Sequence, residues 1–128
     1  MNMANLNNVS TLFGRSMIAI MFIMAGFSKI GGYAGTQGFM ESVGVPGLLL
    51  PAVIALELLG GIAVLLGYQT KIASLLLGGF TFLAAIIFHS DFGQQMQVIL
   101  FMKNIAISGA FLLLFVHGPG QWALNSNN

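Results

Sequence analysis

Charge is the scarcest commodity in this sequence. Of 128 residues, four are Lys or Arg and three are Asp or Glu, 5% in all, where a soluble domain carries about 25%. So few charges cannot coat a water-facing surface. With 57% hydrophobic residues, the composition is that of a chain whose outside meets lipid. The four cations form no run, so the dense basic patch that neutralises phosphates is missing and nucleic acid is excluded as a partner. Cysteine is absent altogether, which removes disulfides, CxxC redox chemistry, thiolate metal sites and cysteine nucleophiles. No metal site is expected. A secretory signal needs a charged n-region and a small-residue cleavage site. The opening MNMANLNNVSTLFGR has no basic residue before Arg15, and the first apolar segment reads as a retained signal anchor. No linker-like or low-complexity stretch interrupts residues 1–128, which read as a single transmembrane domain.

What the sequence does contain is four apolar segments, at about 11–30, 47–67, 71–89 and 98–117. Each approaches the roughly 20 residues a helix needs to cross the hydrocarbon core. Backbone groups in lipid must be satisfied internally, so these are helices and the fold class is all-α. Glycine-rich breakers separate them. Gly31-Gly32-Tyr33 ends the first, Gly44-Val45-Pro46-Gly47 precedes the second, and Gly67-Tyr68-Gln69-Thr70 is a tight turn after it, with Thr70 placed to N-cap the third. Phe39 to Val43 reads as a short interfacial helix, Ser90 to Gln97 as a polar connector, and Gly118-Pro119-Gly120 as the stop before a polar tail. Short connections make neighbours antiparallel, which gives an integral-membrane, up-down four-helix bundle. The bilayer is its first partner. Both termini then share one face, and the 30s–40s and 90s loops lie on the other. Arg15 and Lys71 lie toward the first face, Lys29 and Lys103 toward the second. The positive-inside count is therefore tied, and the reading leans to cytoplasmic termini.

Gly60-Gly61, Gly78-Gly79 and Ser108-Gly109-Ala110 let helix backbones approach closely. Eight methionines and eleven phenylalanines serve equally as packing, lipid-facing filler or the soft lining a quinone favours.

Glu57, in LLLPAVIALELLGGIAVLLG, is the sharpest feature. It stands near the middle of its segment, about 15 Å deep. An unpaired carboxylate there costs about 2.5–3.5 kcal/mol on insertion scales, so Glu57 should face the bundle interior and be paired, hydrated or protonated. Depth alone offers two partners. Lys103 reaches toward the midplane from one side and Arg15 from the other. Such a pair either fixes helix register or serves function, as ionisable groups at this depth do by default. Asn104, beside Lys103, can hydrogen-bond across helices. His89, in FHSDFG at the end of the third segment, reads as an interfacial histidine or as a proton-transfer group or quinone donor. His117 lies at the opposite face, about a bilayer thickness away, so the two cannot ligate one haem within the chain. Lys29, in AGFSKIGG, reads as a headgroup snorkeller. If it turns inward, it joins His89 and Lys103 in a basic pocket suited to an anionic headgroup or a quinone carbonyl.

Taken in order, GRSMIAIMFIMAGFSKIGG, GTQGFMESVGVP, ALELLGGIAVLLGYQTKIASLLLGGF, FH and MKNIAISGAFLLLFVHGPG resemble the DoxX family, from about Leu12 to Leu124. The likeness is to its short inner-membrane branch. It implies a multi-pass protein of the bacterial inner membrane, with relatives tied to membrane redox or oxidative-stress complexes and, for most members, no assigned reaction. The matched positions are Arg15, Lys29, Glu57, His89, Lys103 and Asn104; no mechanism comes with them. Three functions stay open. One is a quinone-interacting subunit of a redox complex, which needs an electron-carrying partner because no residue here carries electrons. The second is a proton-coupled transporter using Glu57, particularly as a homo-oligomer. The third is a non-catalytic assembly subunit with Glu57 in a structural ion pair. An accessory membrane subunit fits the sequence better than a stand-alone enzyme, and quinone is the cofactor to consider.

Overall fold

The computed structural model describes residues 2–125, so Met1 and positions 126–128 at the end of the expected polar tail lie outside the described residues. The described residues form five helices: α1 (Met3–Gly31), α2 (Tyr33–Ser42), α3 (Leu50–Leu66), α4 (Thr70–Phe88) and α5 (Gln95–His117). A single 3-10 turn, Gly47–Leu49, leads into α3, and no strand occurs among the described residues. Four stretches are long and apolar enough to cross a membrane: Met3–Gly31, Gly47–Leu66, Thr70–Phe88 and Gln95–His117. These are the four expected segments. Two begin earlier than hydropathy indicates. α1 starts inside the polar leader, capped by the Asn2 side chain, which accepts from the Asn5 amide at 2.8 Å. α5 takes in the polar residues from Gln95.

Two local expectations change. The short helix at Phe39–Val43 is the end of the ten-residue α2, because Gly32 breaks the chain only briefly. Thr70 is the first residue of α4, not its cap. Gln69 takes the cap position in a left-handed conformation, φ 49°.

α1 packs chiefly on α3 and α4 on α5, and α3 against α4 joins the two pairs. The core is small: Ala19, Phe22, Val64, Ala73, Leu77 and Phe111, with Phe22 and Phe111 edge-to-face at 5.4 Å across the bundle. Large apolar side chains point outward instead, Leu59 at 68% exposure and Leu113 at 63% among them. A water-soluble protein would show the reverse. Lipid supplies no hydrophobic drive between helices, so close backbone contact must replace it. Gly61 supplies that contact at the α1–α3 crossing, where an added Cβ would sit 2.8 Å from Ile23 Cγ1 and 3.2 Å from the Ala19 carbonyl oxygen. Backbone cannot yield as a side-chain tip can. Gly61→Val should therefore separate α1 from α3 and destabilise the fold by about 2–3 kcal/mol; a wild-type melting temperature in detergent would show the crossing to be looser than this.

Candidate functional site

Glu57 is buried, as its depth requires, and its partner is Lys29. Lys29 Nζ lies 3.0 Å from Glu57 Oε1 and donates to Oε2 at 3.2 Å. The carboxylate is 4% exposed and the lysine side chain 29%. This corrects the depth-based pairing of Glu57 with Lys103 or Arg15, and the view of Lys29 as a snorkeller. The cause is local. Gly26 lets α1 lie against the Leu58 side chain, with Glu57 Cβ 3.5 Å from where a glycine Cβ would stand. Lys29 is one turn further along α1. Side chains on a helix lean toward its N-terminus, so Lys29 leans back down toward the level of Gly26, into the bundle and onto Glu57. Snorkelling outward would require the opposite lean.

Arg15 is buried at the other end of the bundle, 4% exposed, and among the described residues it pairs with no carboxylate. Its Nη1 donates to the Pro119 carbonyl oxygen at 2.6 Å, and its Nη2 to those of Leu65 and Trp122, each at 3.1 Å. The chain after α5 thus folds back over the end of α3. There Leu124 N donates to Leu66 O and Asn125 N to Gly67 O, both at 3.0 Å. The last carbonyls of a helix have no intrahelical partner; here a guanidinium and two tail amides serve them and the turn that follows.

The remaining sequence candidates converge on one cavity of about 460 Å³ in the half of the bundle that holds the α1–α2, α2–α3 and α4–α5 connections. Lys29, Glu57, His89, Lys103 and Asn104 all line it, and its other walls are mostly apolar, including Phe22, Phe80, Phe39 and Phe88. Phe39 of α2 stacks on Phe88 of α4 at 5.4 Å, so α2 reaches across from the α1–α3 pair to cover the cavity. Gln37 Nε2 pins α2 to the 3-10 turn through the Gly47 carbonyl at 3.1 Å. Several exposed apolar side chains, Met21, Leu83 and Ile87 among them, are shared between the outer surface and the cavity wall. Such a rim faces lipid in a bilayer.

Within the cavity, Asn104 Nδ2 donates to the Thr81 carbonyl oxygen at 3.5 Å, and His89 Nδ1 lies 3.1 Å from Gln97 Oε1, which makes Nδ1–H the donor. Lys103 is exposed, and among the described residues it has no carboxylate within ion-pair distance. It is the ninth residue of α5, where the sequence reading put it about five residues into a span. His117 ends α5 at the opposite side. Of the six polar residues picked out in the sequence, five meet and Arg15 stands apart. Sequence reasoning missed Gln97, which orients His89, and α2 as a cover. The aromatic Phe39, four residues from the Gly35 turn signals, was the only hint of the latter.

The family model described as DoxX matches residues 10–90. The chain belongs to the DoxX family. Among curated relatives it is 49% identical over 123 residues to the inner membrane protein YqjF of Escherichia coli (strain K12), covering 96% of this chain and 95% of that one. It is 36% identical over 124 residues to the inner membrane protein YphA of the same organism, covering 91% and 89%. It is 37% identical over 79 residues, 62% of this chain and 58% of the other, to a Bacillus subtilis (strain 168) protein named "Putative oxidoreductase CatD". No solved structure matches. With four helices long enough to span and close relatives in the inner membrane, this DoxX protein is an inner-membrane protein in contact with the bilayer. The matched region ends just past His89, so it includes Lys29 and Glu57 and stops before Lys103 and Asn104.

Proposed function

We propose that this DoxX protein is a quinone-binding membrane subunit of a redox system. The observation that carries the reading is the cavity: about 460 Å³, walled by apolar and aromatic side chains, with Lys29–Glu57 on one side and Lys103 and Asn104 on α5. Ligand sites of this kind span about 300–1,000 Å³, mostly apolar with a few convergent polar groups. A quinone ring is flat and apolar, with carbonyl oxygens that accept hydrogen bonds at opposite edges. Lysine and amide N–H groups are the donors for those oxygens, and a carboxylate paired to a lysine can take or give the protons of ring reduction. The apolar rim suits a ligand arriving from the bilayer. Electrons come from outside the chain, through a partner or a diffusible reductant. The relative named an oxidoreductase supports a redox setting. The transporter reading needs a route to the opposite face, where Arg15 and the folded-back tail occupy the end of α3.

Ala84 lines the cavity on α4, and Ala84→Phe would fill it. Protein extracted in native lipid should carry about one quinone per chain, by mass spectrometry of its lipid extract, and the filled variant at least tenfold less, roughly the loss expected when about 1.4 kcal/mol of binding is removed. No quinone on the wild type, or equal amounts on both, would sink the reading.

A further inference from the structure

This inference rests on the reading of the cavity as a quinone site and names the form of ligand it takes. We propose that the site selects a quinone whose ring bears a negatively charged oxygen, such as a deprotonated hydroxyquinone, over its neutral counterpart. The cavity wall draws its charged and titratable groups from α1, α3, α5 and the residue after α4. α1 contributes Lys29 and α3 contributes Glu57, and these two neutralise each other at 3.0 Å. α4 ends on His89, whose Nδ1 is engaged by Gln97; a histidine adds no negative charge in either protonation state. α5 contributes Lys103, which has no carboxylate partner among the described residues. The acidic Glu41 of α2 does not line the cavity; its carboxylate lies beside Gly47. Asp91, after α4, accepts from the Gly93 amide and is likewise off the wall.

The wall therefore carries at least one positive charge, on Lys103, with no carboxylate opposite it among the described residues. Lys103 is exposed and borders the mostly apolar wall, so an anionic group bound against that wall gains its attraction in surroundings less polar than water. A neutral quinone offers that ammonium only a carbonyl dipole. A ring oxyanion offers a full counter-charge, and Asn104, on the next residue, can add a hydrogen bond to the same or the adjacent oxygen. The aromatic side chains Phe39 and Phe88, stacked at the cover, suit a flat ring better than the branched glycerol of a phospholipid.

The test uses the full chain in nanodiscs of phosphatidylcholine, with equilibrium dialysis corrected by empty nanodiscs. The probes are 2-hydroxy-1,4-naphthoquinone, which is ionised at neutral pH, and 1,4-naphthoquinone, its neutral analogue. The anion should bind at least about tenfold more tightly than the neutral ring. Lys103→Met should erase that preference, weakening the anion at least about tenfold more than the neutral ring, which loses only a carbonyl donor. Lys103→Arg should keep it, which guards against a folding defect in the first variant. Equal binding of both probes to the wild type overturns the inference and leaves the quinone reading standing, as does a preference that survives Lys103→Met. Binding of neither probe removes both. A last arm replaces part of the lipid with phosphatidylglycerol. If the anion preference then vanishes while the neutral probe still binds, Lys103 is holding a lipid phosphate and the inference falls. An unchanged preference supports it.

Discussion

Replacing Arg15 by Ala should destabilise the protein by about 3–4 kcal/mol. Arg15 is 4% exposed and serves three carbonyl oxygens at once, those of Pro119, Leu65 and Trp122. A hydrogen bond to a charged donor contributes about 1.5–3 kcal/mol net, and a buried carbonyl left without a donor costs a further amount. Partial hydration at this end of the bundle offsets some of the total. The loss should be felt first in the tail. Gly67, φ 72°, closes α3 in the left-handed conformation with Ala123 packed directly on it and the Arg15 guanidinium carbon 3.3 Å from where a Cβ would stand. Without the guanidinium, the tail keeps the Leu124 and Asn125 amide hydrogen bonds and its packing against Gly67. Reversible unfolding in mixed micelles measures the energy, and limited proteolysis after α5 measures the release of the tail. Arg15→Lys should recover less than half of the loss, because a point-like ammonium cannot address three carbonyls in the fork geometry of a guanidinium. A variant with wild-type stability and a protected tail would show that the clamp carries little.

Arg15 also marks where sequence reading stops. Its burial was legible: a cation four residues into an apolar segment must find acceptors. That the acceptors are backbone carbonyls from a tail about a hundred residues away was not, because tail geometry depends on two positive-φ glycines, Gly118 and Gly120, whose effect on chain direction no hydropathy plot contains. The four spans were legible for a strong reason: in lipid only a helix satisfies its own backbone, so segment length alone fixes their number. Pairing was harder. Depth asked for a Glu57 inside the bundle, where it is buried, and then pointed to Lys103 and Arg15, since depth carries no information on which helices are neighbours. α1 and α3 touch because Gly26 and Gly61 present no side chain to the crossing. With that adjacency known, the N-terminal lean of helical side chains selects Lys29. The convergence of His89 and Lys103 with Lys29 on one cavity was anticipated only in the conditional case that Lys29 turned inward, as it does, and the place of Asn104 on the same wall was not anticipated.

The Lys29–Glu57 pair should respond asymmetrically to removal of its two halves. Lys29→Met leaves a carboxylate that is 4% exposed without its cation, and should cost about 3 kcal/mol of stability, the order found when one partner of a buried pair is deleted. Glu57→Gln leaves a lysine that is 29% exposed and can swing its ammonium toward the cavity and the membrane surface, so its cost should be about 1 kcal/mol. Equal costs would mean the carboxylate is not the dependent partner. The double variant Lys29→Met/Glu57→Leu then separates the two roles a buried pair can have. Desolvation offsets most of what such pairs gain from attraction, and well-packed apolar replacements are often neutral or stabilising. If the pair exists to fix register, the double variant should unfold early or lose its cooperative transition. If it exists to handle a ligand, the double variant should melt at or above the wild-type temperature and yet retain no quinone. The geometry favours the second outcome. Gly61 against the Ala19 and Ile23 backbone and Gly26 against the Leu58 side chain already set the α1–α3 register, which leaves the ion pair redundant as a register device, while its position on the cavity wall gives it something to act on.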